Sequence, residues 1–423
     1  MFRLADVWLL FTTRVVRLFA YGFMSVMLVL YLAEVGLSEQ EIGLLLTMTL
    51  IGDTGISLWI TTRADRIGRK RMLIAGAALM VLGGLVFALT SNFWLLLLAA
   101  TVGVLSPSGN EVGPFLAIEQ AALAETVEAE QRTRIIAWYH LAGSFATAAG
   151  SLVCGLLLQL LQAHGVRPLE SFRVILFSYA AAGSLLGVLF LRLSTASEAA
   201  ALEPTQAPDE IALHRGLFGL HRSRGVVLKL SALFALDSFA GGFVLQSFVA
   251  FWFHVRFGAD PATLGGIFFG ANLLAGISAL AATAIARRVG LLNTMVFTHV
   301  PSNLLLVLVP FMPTLPLAVT VLLLRFAISQ MDVPARQSYT AAIVSPDERS
   351  AAAGITGVAR TTGAALAPVL AGLLLSSSTF AGGLFVVAGV LKLIYDGLLY
   401  RLFRGVIPPE EVAKHAVGGD GPK

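Results

Sequence analysis

The chain is a succession of long apolar runs separated by short polar stretches, and this pattern limits the folds open to it. Most runs have about 20 residues or more, the length that a helix needs to cross the hydrocarbon core of a bilayer. The alternating polarity of a membrane-spanning strand is missing from them. We therefore expect an all-α polytopic membrane protein with twelve spans, at residues 7–33, 40–62, 71–91, 93–119, 135–160, 173–193, 226–252, 262–285, 291–311, 315–341, 351–376 and 380–403.

Composition agrees with a membrane protein and excludes a water-soluble one. Hydrophobic residues make up 57% of the 423 residues and charged residues only 13%, whereas an ordinary soluble domain has about 25% charged residues. The single cysteine, Cys154, excludes an intramolecular disulfide. The net charge of +4 is explained by basic loops on one side of a membrane, so we expect no nucleic-acid partner.

Loop charge predicts the orientation of the spans. The loops after spans 2, 4, 8 and 10 contain ten basic residues and the opposite loops contain three. Basic residues accumulate on the cytoplasmic side of membrane proteins, so we expect both termini in the cytoplasm and the protein among the lipids of the cell (inner) membrane. The first set is Arg63, Arg66, Arg69, Lys70, Arg71, Arg132, Arg134, Arg287, Arg288 and Arg349, and the second is Arg167, Arg173 and Arg256.

The chain contains an internal repeat on either side of a polar stretch, residues 194–225, which we interpret as a cytoplasmic linker. Residues 119–158 align without a gap on 336–375, which places Glu119 opposite Arg336. A second match places Arg17 opposite Asp237, and a third pairs residues 64–68 with 286–290. We expect two pseudo-symmetric six-helix halves, 1–193 and 226–403, followed by a cytoplasmic tail, 404–423. Duplicated halves of this kind hold the substrate between them near the bilayer midplane.

The loop after the second span reads Arg63-Ala-Asp65-Arg66-Ile-Gly68-Arg69-Lys70-Arg71. It resembles the signature loop of the major facilitator superfamily in pattern and in place, except that Arg63 or a neighbour stands where the family has glycine. The resemblance covers the whole chain and implies the major facilitator fold. Asp65 can accept hydrogen bonds from a helix start or from an arginine, while Gly68 permits a tight turn. The resemblance implies a latch of the outward-facing state, and positive-inside anchoring alone is the alternative; the loop residues concerned are Asp65, Arg66, Gly68 and Arg69.

Several ionisable side chains fall inside the predicted spans, where each costs about 2.5–3.5 kcal/mol and usually pairs or serves transport. Asp53 lies thirteen residues into span 2, about 20 Å along the helix. Because burial penalises a charged carboxylate, we expect Asp53 to bind a coupled proton, with a structural arginine pair as the alternative. Arg14 and Arg17 share a face of span 1 and either snorkel to the interface or act in transport. The opposite charges of Arg17 and its repeat partner Asp237 predict a gate between the halves.

Spans 4 and 10 carry helix-breaking residues beside polar ones. Span 4 combines two prolines with Asn110 and Glu111, and span 10 has a proline near Asp332. Such breaks free backbone groups beside polar side chains and are typical of a binding or coupling element. Arg360 in span 11 is interpreted either as a holder of an anionic substrate or as the partner of Asp332 or Glu111. One i,i+4 pair in span 12 is expected to neutralise itself, namely Lys392 and Asp396.

These features predict a secondary active transporter and not an enzyme. The sequence has no G-x-x-x-x-G-K-S/T loop and no hydrolytic or metal-ligand constellation, so we expect no cofactor, with a proton gradient as the energy source. Our first hypothesis is proton-coupled export of small organic molecules by alternating access, by a monomer similar to drug:proton antiporters. The first alternative is uptake or exchange of an organic anion held by Arg14, Arg17 and Arg360. A second is an intramembrane sensor or lipid-handling protein that uses the linker for partners.

Overall fold

The structure, a computed structural model, describes residues 2–127, 129–194, 198, 220–376, 382–406 and 408. Within them the chain forms fifteen α-helices and no strand. In chain order these are α1 (Phe2–Glu34), α2 (Glu39–Ile67), α3 (Arg69–Leu89), α4 (Phe93–Val102), α5 (Phe115–Thr126), α6 (Ala129–Ala163), α7 (Pro168–Leu191), α8 (Arg224–Gly242), α9 (Gln246–Phe257), α10 (Pro261–Val289), α11 (Leu291–Leu308), α12 (Leu315–Phe326), α13 (Asp332–Ile343), α14 (Arg349–Leu375) and α15 (Gly383–Phe403).

The helices follow the predicted spans in order. Among the described residues, ten helical segments are long and apolar enough to cross a membrane, with α8 and α9 counted as one. Two shorter apolar helices, α4 and α12, begin the fourth and tenth spans. The prediction of an all-α polytopic fold is therefore confirmed.

Three spans are interrupted. Residues 103–114 separate α4 from α5, and residues 327–331 separate α12 from α13, as the proline and polar residues of these spans predict. Pro334 itself lies in the first turn of α13, where its missing N–H costs no helical hydrogen bond. The third break, between α8 and α9, was not predicted; it follows Gly241 and Gly242, which are poor helix formers.

Local sequence explains several helix ends. Ser38 and Glu41 form a reciprocal capping box at the start of α2, and the Asn92 side chain accepts from two backbone N–H groups of α4. The tight turns from α2 to α3 and from α10 to α11 pass through Gly68 at φ 112° and Gly290 at φ 89°. A side chain would strain both conformations. These two glycines are equivalent in the sequence repeat, so the repeat extends to the turns.

The first of two compact units comprises Met1–Leu202, Phe243–Leu273 and Ala365–Leu384. Its helices approach backbone to backbone at glycines. A Cβ added to Gly150 of α6 would lie 2.1 Å from the carbonyl oxygen of Phe19 in α1, and one added to Gly155 would lie 2.8 Å from the Cα of Gly265 in α10. Because of such contacts, unit 1 includes segments from the second half of the sequence. The units thus cut across the predicted halves 1–193 and 226–403, which stay an interpretation of the sequence repeat.

The second unit comprises Glu203–Gly242, Leu274–Ala364 and Phe385–Lys423. Aromatic side chains of α8, α13 and α15 form much of its described core, including Phe234, Tyr339 and Phe403. A Cβ added to Gly363 of α14 would lie 2.3 Å from the carbonyl oxygen of Ala235 in α8, so these helices also pack closely. Most of the predicted linker, 194–225, and of the predicted tail, 404–423, lies outside the described residues.

Candidate functional site

A network of buried charges lies inside unit 1, and we call it the first charge cluster: Arg14, Arg17, Glu111, Glu119 and Tyr139. Arg17 of α1 is fully buried, and its guanidinium donates to Glu119 through Nη1 at 2.8 Å and Nη2 at 2.6 Å. Its Nε donates to Glu111 at 2.8 Å. Bidentate contacts of this kind are the strongest form of arginine–carboxylate pairing. Arg17 therefore does not snorkel to an interface.

Glu111 joins the two arginines of α1. It accepts from Arg14 Nη1 at 2.8 Å through one oxygen and from Arg17 through the other. The Arg14 guanidinium also lies 4.3 Å from the ring centroid of Tyr139, whose hydroxyl donates to Glu119. The cluster thus balances two arginines against two glutamates. Glu111 can reach both arginines because the break in span 4 removes it from a helical geometry.

Asp53 lies beside this cluster, with partners of another kind. Its Oδ1 accepts from the backbone N–H of Gly113 at 2.5 Å and from the hydroxyl of Ser57 at 3.3 Å. Gly113 can donate because it lies in the break before α5, outside any helix. No ion pair of Asp53 is found in the described part of the chain. Asp53 is therefore a partly buried carboxylate held by neutral donors.

Unit 2 contains a second charge cluster: Asp237, Asp332, Arg336 and Lys392. Asp237 of α8 accepts from Lys392 Nζ of α15 at 2.5 Å and from Arg336 Nη1 of α13 at 3.1 Å. The same Arg336 nitrogen lies 3.4 Å from Asp332, four residues earlier. All four side chains are less than a tenth exposed.

The repeat relates the two clusters with the charges reversed. In unit 1 the α1 position is Arg17 and its partner is Glu119, whereas in unit 2 the equivalent positions are Asp237 and Arg336. The contacts agree with the alignment of these four residues in the sequence repeat. Both residues of each ion pair lie in the same unit. The predicted gate between Arg17 and Asp237 stays a prediction.

Span 12 differs from the sequence-based interpretation. Lys392 donates to Asp237 instead of to Asp396. Asp396 accepts from His299 Nδ1 at 2.7 Å and from Asn303 at 2.8 Å, both on α11. The i,i+4 spacing allowed an intrahelical pair, but neighbouring helices offer each side chain a buried partner.

The remaining predicted residues have other surroundings. Asn110 is exposed in the break of span 4, where its carbonyl accepts from the hydroxyl of Ser106 at 2.7 Å. Arg360 of α14 is partly buried and makes no hydrogen bond or ion pair within the described residues. Arg325, which the sequence pattern did not predict as a site residue, is likewise partly buried without a hydrogen bond or ion pair within the described residues. Its isolated charge at the end of an apolar run was the available signal.

In the signature-like loop, Asp65 has an arginine partner and the start of α3 has a partner that the sequence did not predict. Asp65 accepts from Arg69 Nε at 2.8 Å, and Arg66 is exposed. The N–H groups at the start of α3 are bound instead by Glu198, which accepts from Arg69 at 2.6 Å and Lys70 at 3.2 Å. A carboxylate at a helix start interacts favourably with the helix dipole. The distance of 129 residues along the chain hides this contact from sequence reasoning.

Ten long apolar helices and two shorter ones among the described residues, with paired charges buried between them, are typical of a polytopic membrane transporter. The chain belongs to the Major Facilitator Superfamily, whose family model matches residues 9–331. The resemblance found in the loop 63–71 is thus confirmed at the level of the family. Similarity to drug:proton antiporters within it stays a prediction.

Other proteins similar to this chain agree with the family. An uncharacterised membrane protein of Saccharomyces cerevisiae is 31% identical over 424 positions, covering 95% of this chain and 94% of its own. A bacterial homologue of the human lysosomal transporter Spinster, in an inward-facing conformation, has a TM-score of 0.72 at 14% identity and covers 95% of this chain and 97% of its own. A D-xylose–proton symporter has a TM-score of 0.73 at 14% identity, with coverage of 93% and 97%. At these identities the two structures are evidence for the fold alone.

Proposed function

We propose that this transporter couples the movement of a proton to that of a small organic molecule, and that Asp53 binds the proton. The observation that carries the proposal is the difference between Asp53 and its neighbours. Glu111 and Glu119 are bound by arginines, whereas the donors to Asp53 among the described residues are the neutral Gly113 and Ser57. A buried carboxylate without a cationic partner gains most from taking up a proton.

Protonation of Asp53 also affects other residues of unit 1 through the hydrogen bond from Gly113. A protonated carboxyl oxygen is a weaker acceptor, so the 2.5 Å bond to the Gly113 N–H weakens. Gly113 lies two residues after Glu111 in the same break, and Glu111 holds both arginines of α1. A proton on Asp53 therefore acts on the segment that orients Glu111. This is the kind of differential contact that lets a ligand shift a conformational equilibrium.

The sense of transport and the setting complete the proposal. We propose export by alternating access, through a monomer in the cell membrane with both termini in the cytoplasm. The loop charges support the orientation. The small residues of span 5, with Gly143, Gly150 and Gly155 on α6, allow tight helix packing, which is compatible with transport in either direction.

A second candidate, transport of an organic anion, is favoured by the charges of unit 2. Apart from Glu348, whose carboxylate accepts from the backbone N–H groups of residues 221–223, the described side chains of unit 2 that are buried or partly buried include four cations against three carboxylates. The cations are Arg325, Arg336, Arg360 and Lys392, and the carboxylates are Asp237, Asp332 and Asp396. In unit 1, by contrast, the arginines of the first charge cluster are matched by glutamates. An anionic substrate would balance the excess in unit 2.

The proposal is tested first in cells that lack their main efflux systems and express the parent chain, Asp53→Asn or the control Glu34→Gln at matched levels. Glu34 is an exposed carboxylate at the end of α1. Intracellular accumulation of dyes, antibiotics and metabolites identifies a substrate. We expect lower accumulation with the parent and the control, and no change with Asp53→Asn. Raised accumulation of an anion would indicate uptake instead of export.

Proteoliposomes containing the purified chain then separate coupling from binding. With an imposed pH gradient, we expect Asp53→Asn to lose uphill transport of the identified substrate. Exchange of labelled for unlabelled substrate across the membrane needs no net proton movement and should continue. Uphill transport by Asp53→Asn at the parent rate would show that the proton binds elsewhere. Loss of both activities would show that Asp53 is structural.

A further inference from the structure

Two arginines of unit 2 lack the partners that buried guanidinium groups normally have. The Nε atoms of Arg325 and Arg360 are buried and have no hydrogen-bond partner among the residues that the structure describes. In the part of the chain that the structure describes, neither side chain forms an ion pair. The neighbouring Arg336, by comparison, contacts two carboxylates at 3.1 and 3.4 Å. Since buried polar groups are nearly always hydrogen-bonded, the two arginines require an explanation.

Both arginines belong to the surroundings of the second charge cluster. Each interacts electrostatically with Asp237 and Asp332. Those carboxylates are already committed, because Asp237 accepts from Lys392 at 2.5 Å and both lie within ion-pair distance of Arg336. The positive charge of the two arginines is therefore left without a carboxylate of its own.

The sequence repeat shows what is different in unit 2. At the offset of 217 residues that aligns Glu119 with Arg336, Gly143 of α6 aligns with Arg360 of α14. In unit 1 the space over Gly143 is filled by Arg14, whose Nε would lie 2.6 Å from an added Cβ. An arginine is thus associated with this position in both units, although it comes from α1 in one and from α14 in the other.

The carboxylate that binds Arg14 in unit 1 has no equivalent bound to Arg360 in unit 2, where Asp332, directly after the break of span 10, lies 3.4 Å from Arg336. Arg14 donates to Glu111, which lies in the break of span 4. The corresponding break of span 10, residues 327–331, has the sequence AISQM and contains no carboxylate. It does contain Ser329, whose buried hydroxyl has no hydrogen-bond partner within the described residues. Within the described residues, Arg360 therefore has no carboxylate partner where Arg14 has Glu111.

We propose that Arg360 and Arg325 bind an anionic group of the transported molecule, a carboxylate or a phosphate, which takes the part that Glu111 takes in unit 1. The inference rests on the proposed function, since it names the class of its substrate. Guanidinium groups suit either anion because their planar donors match two oxygens at once. Ser329 supplies a further hydroxyl donor in the same segment.

The test uses the purified full-length protein and its melting temperature in detergent. The anionic probes are succinate, lactate, glycerol 3-phosphate and inorganic phosphate, and the uncharged controls are succinamide, lactamide and glycerol. The variants are Arg360→Met and Arg325→Met, with Arg401→Met, an exposed arginine of α15, as the matched control. A ligand that binds only the folded protein raises the melting temperature saturably. Carboxylate and phosphate probes distinguish the two possible groups.

We expect at least one anion, and none of the uncharged controls, to stabilise the parent and Arg401→Met. The apparent affinity for that anion should fall at least tenfold in Arg360→Met and in Arg325→Met. Without ligand these two variants should melt no lower than the parent, because replacing an unpaired buried charge relieves its desolvation.

Three results would overturn the proposal. The first is a fall in melting temperature for Arg360→Met as large as for Arg336→Met, which would identify a structural ion-pair partner. The second is unchanged anion stabilisation in both variants, and the third is no stabilisation of the parent by any anion. Asp53→Asn keeps this test separate from that of the proton: it should lose uphill transport and retain anion stabilisation.

Discussion

Removing the guanidinium of Arg17 tests whether the first charge cluster stabilises unit 1. Arg17→Met deletes three hydrogen bonds, of 2.6, 2.8 and 2.8 Å, to two carboxylates. Glu111 retains Arg14, but Glu119 is fully buried and, among the described residues, keeps the hydroxyls of Thr13 and Tyr139 as donors. Breaking a buried ion pair from one side typically costs about 3–5 kcal/mol. We expect a loss of this size in the free energy of unfolding.

The complementary change is expected to cost less. Glu119→Gln leaves the Arg17 guanidinium paired with Glu111 through Nε, so the expected loss is about 1–3 kcal/mol. The double variant should lose less free energy of unfolding than the two single variants lose together, by about 0.5–3 kcal/mol, because it leaves no unpaired charge at this position. The parent, Arg17→Met, Glu119→Gln and the double variant thus form a complete double-mutant cycle.

The assay is reversible unfolding of the purified protein in mixed detergent micelles, with melting temperature as a second readout. Arg167→Met serves as the control, because the Arg167 side chain is 82% exposed and lies 3.4 Å from Glu170; such surface pairs contribute at most about 1 kcal/mol. An Arg17→Met loss no larger than that of Arg167→Met would refute the reasoning. So would strictly additive losses in the cycle.

The remaining predictions concern a helix contact and a helix start. Gly265→Leu should lower the melting temperature strongly, because its Cβ would lie 2.9 Å from the backbone of α6, whereas the neighbouring Gly266→Leu has open space and should change it little; equal effects would contradict the close contact. Glu198→Gln should cost about 0.3–1 kcal/mol at the start of α3 and speed hydrogen exchange of the Lys70 amide, which donates to Glu198. Unchanged exchange there would show that this carboxylate does not cap α3.

Much of the fold could be predicted from the sequence because its signals are local. The hydrophobic length of a run, the helix-breaking residues in spans 4 and 10, and the glycine turns at Gly68 and Gly290 act through a few neighbouring residues. The break between α8 and α9 could not be predicted, because glycines such as Gly241 and Gly242 are also common in uninterrupted membrane helices. The repeat aligns Arg17 with Asp237 and Glu119 with Arg336 from sequence alone.

The partners of the candidate site could not be predicted in the same way. Asp53 was recognised by its depth in an apolar run, but its hydrogen bond from Gly113 joins residues 60 apart. Tyr139 and Arg325 gave weak signals, since an aromatic residue or a single arginine near a span end is usually an interfacial anchor. Glu198 gave none.

The sequence by itself determined the membrane spans, the interruptions of spans 4 and 10, the repeat and the family, because apolar length and charge order can be read along the chain. Only the tertiary structure decided which charges pair. Lys392 and Asp396 have ideal spacing for each other on one helix, yet Lys392 contacts Asp237 and Asp396 contacts His299. The physical reason is burial: side chains excluded from water pair with the donors that neighbouring helices bring closest, and sequence spacing does not record the rotation of those helices.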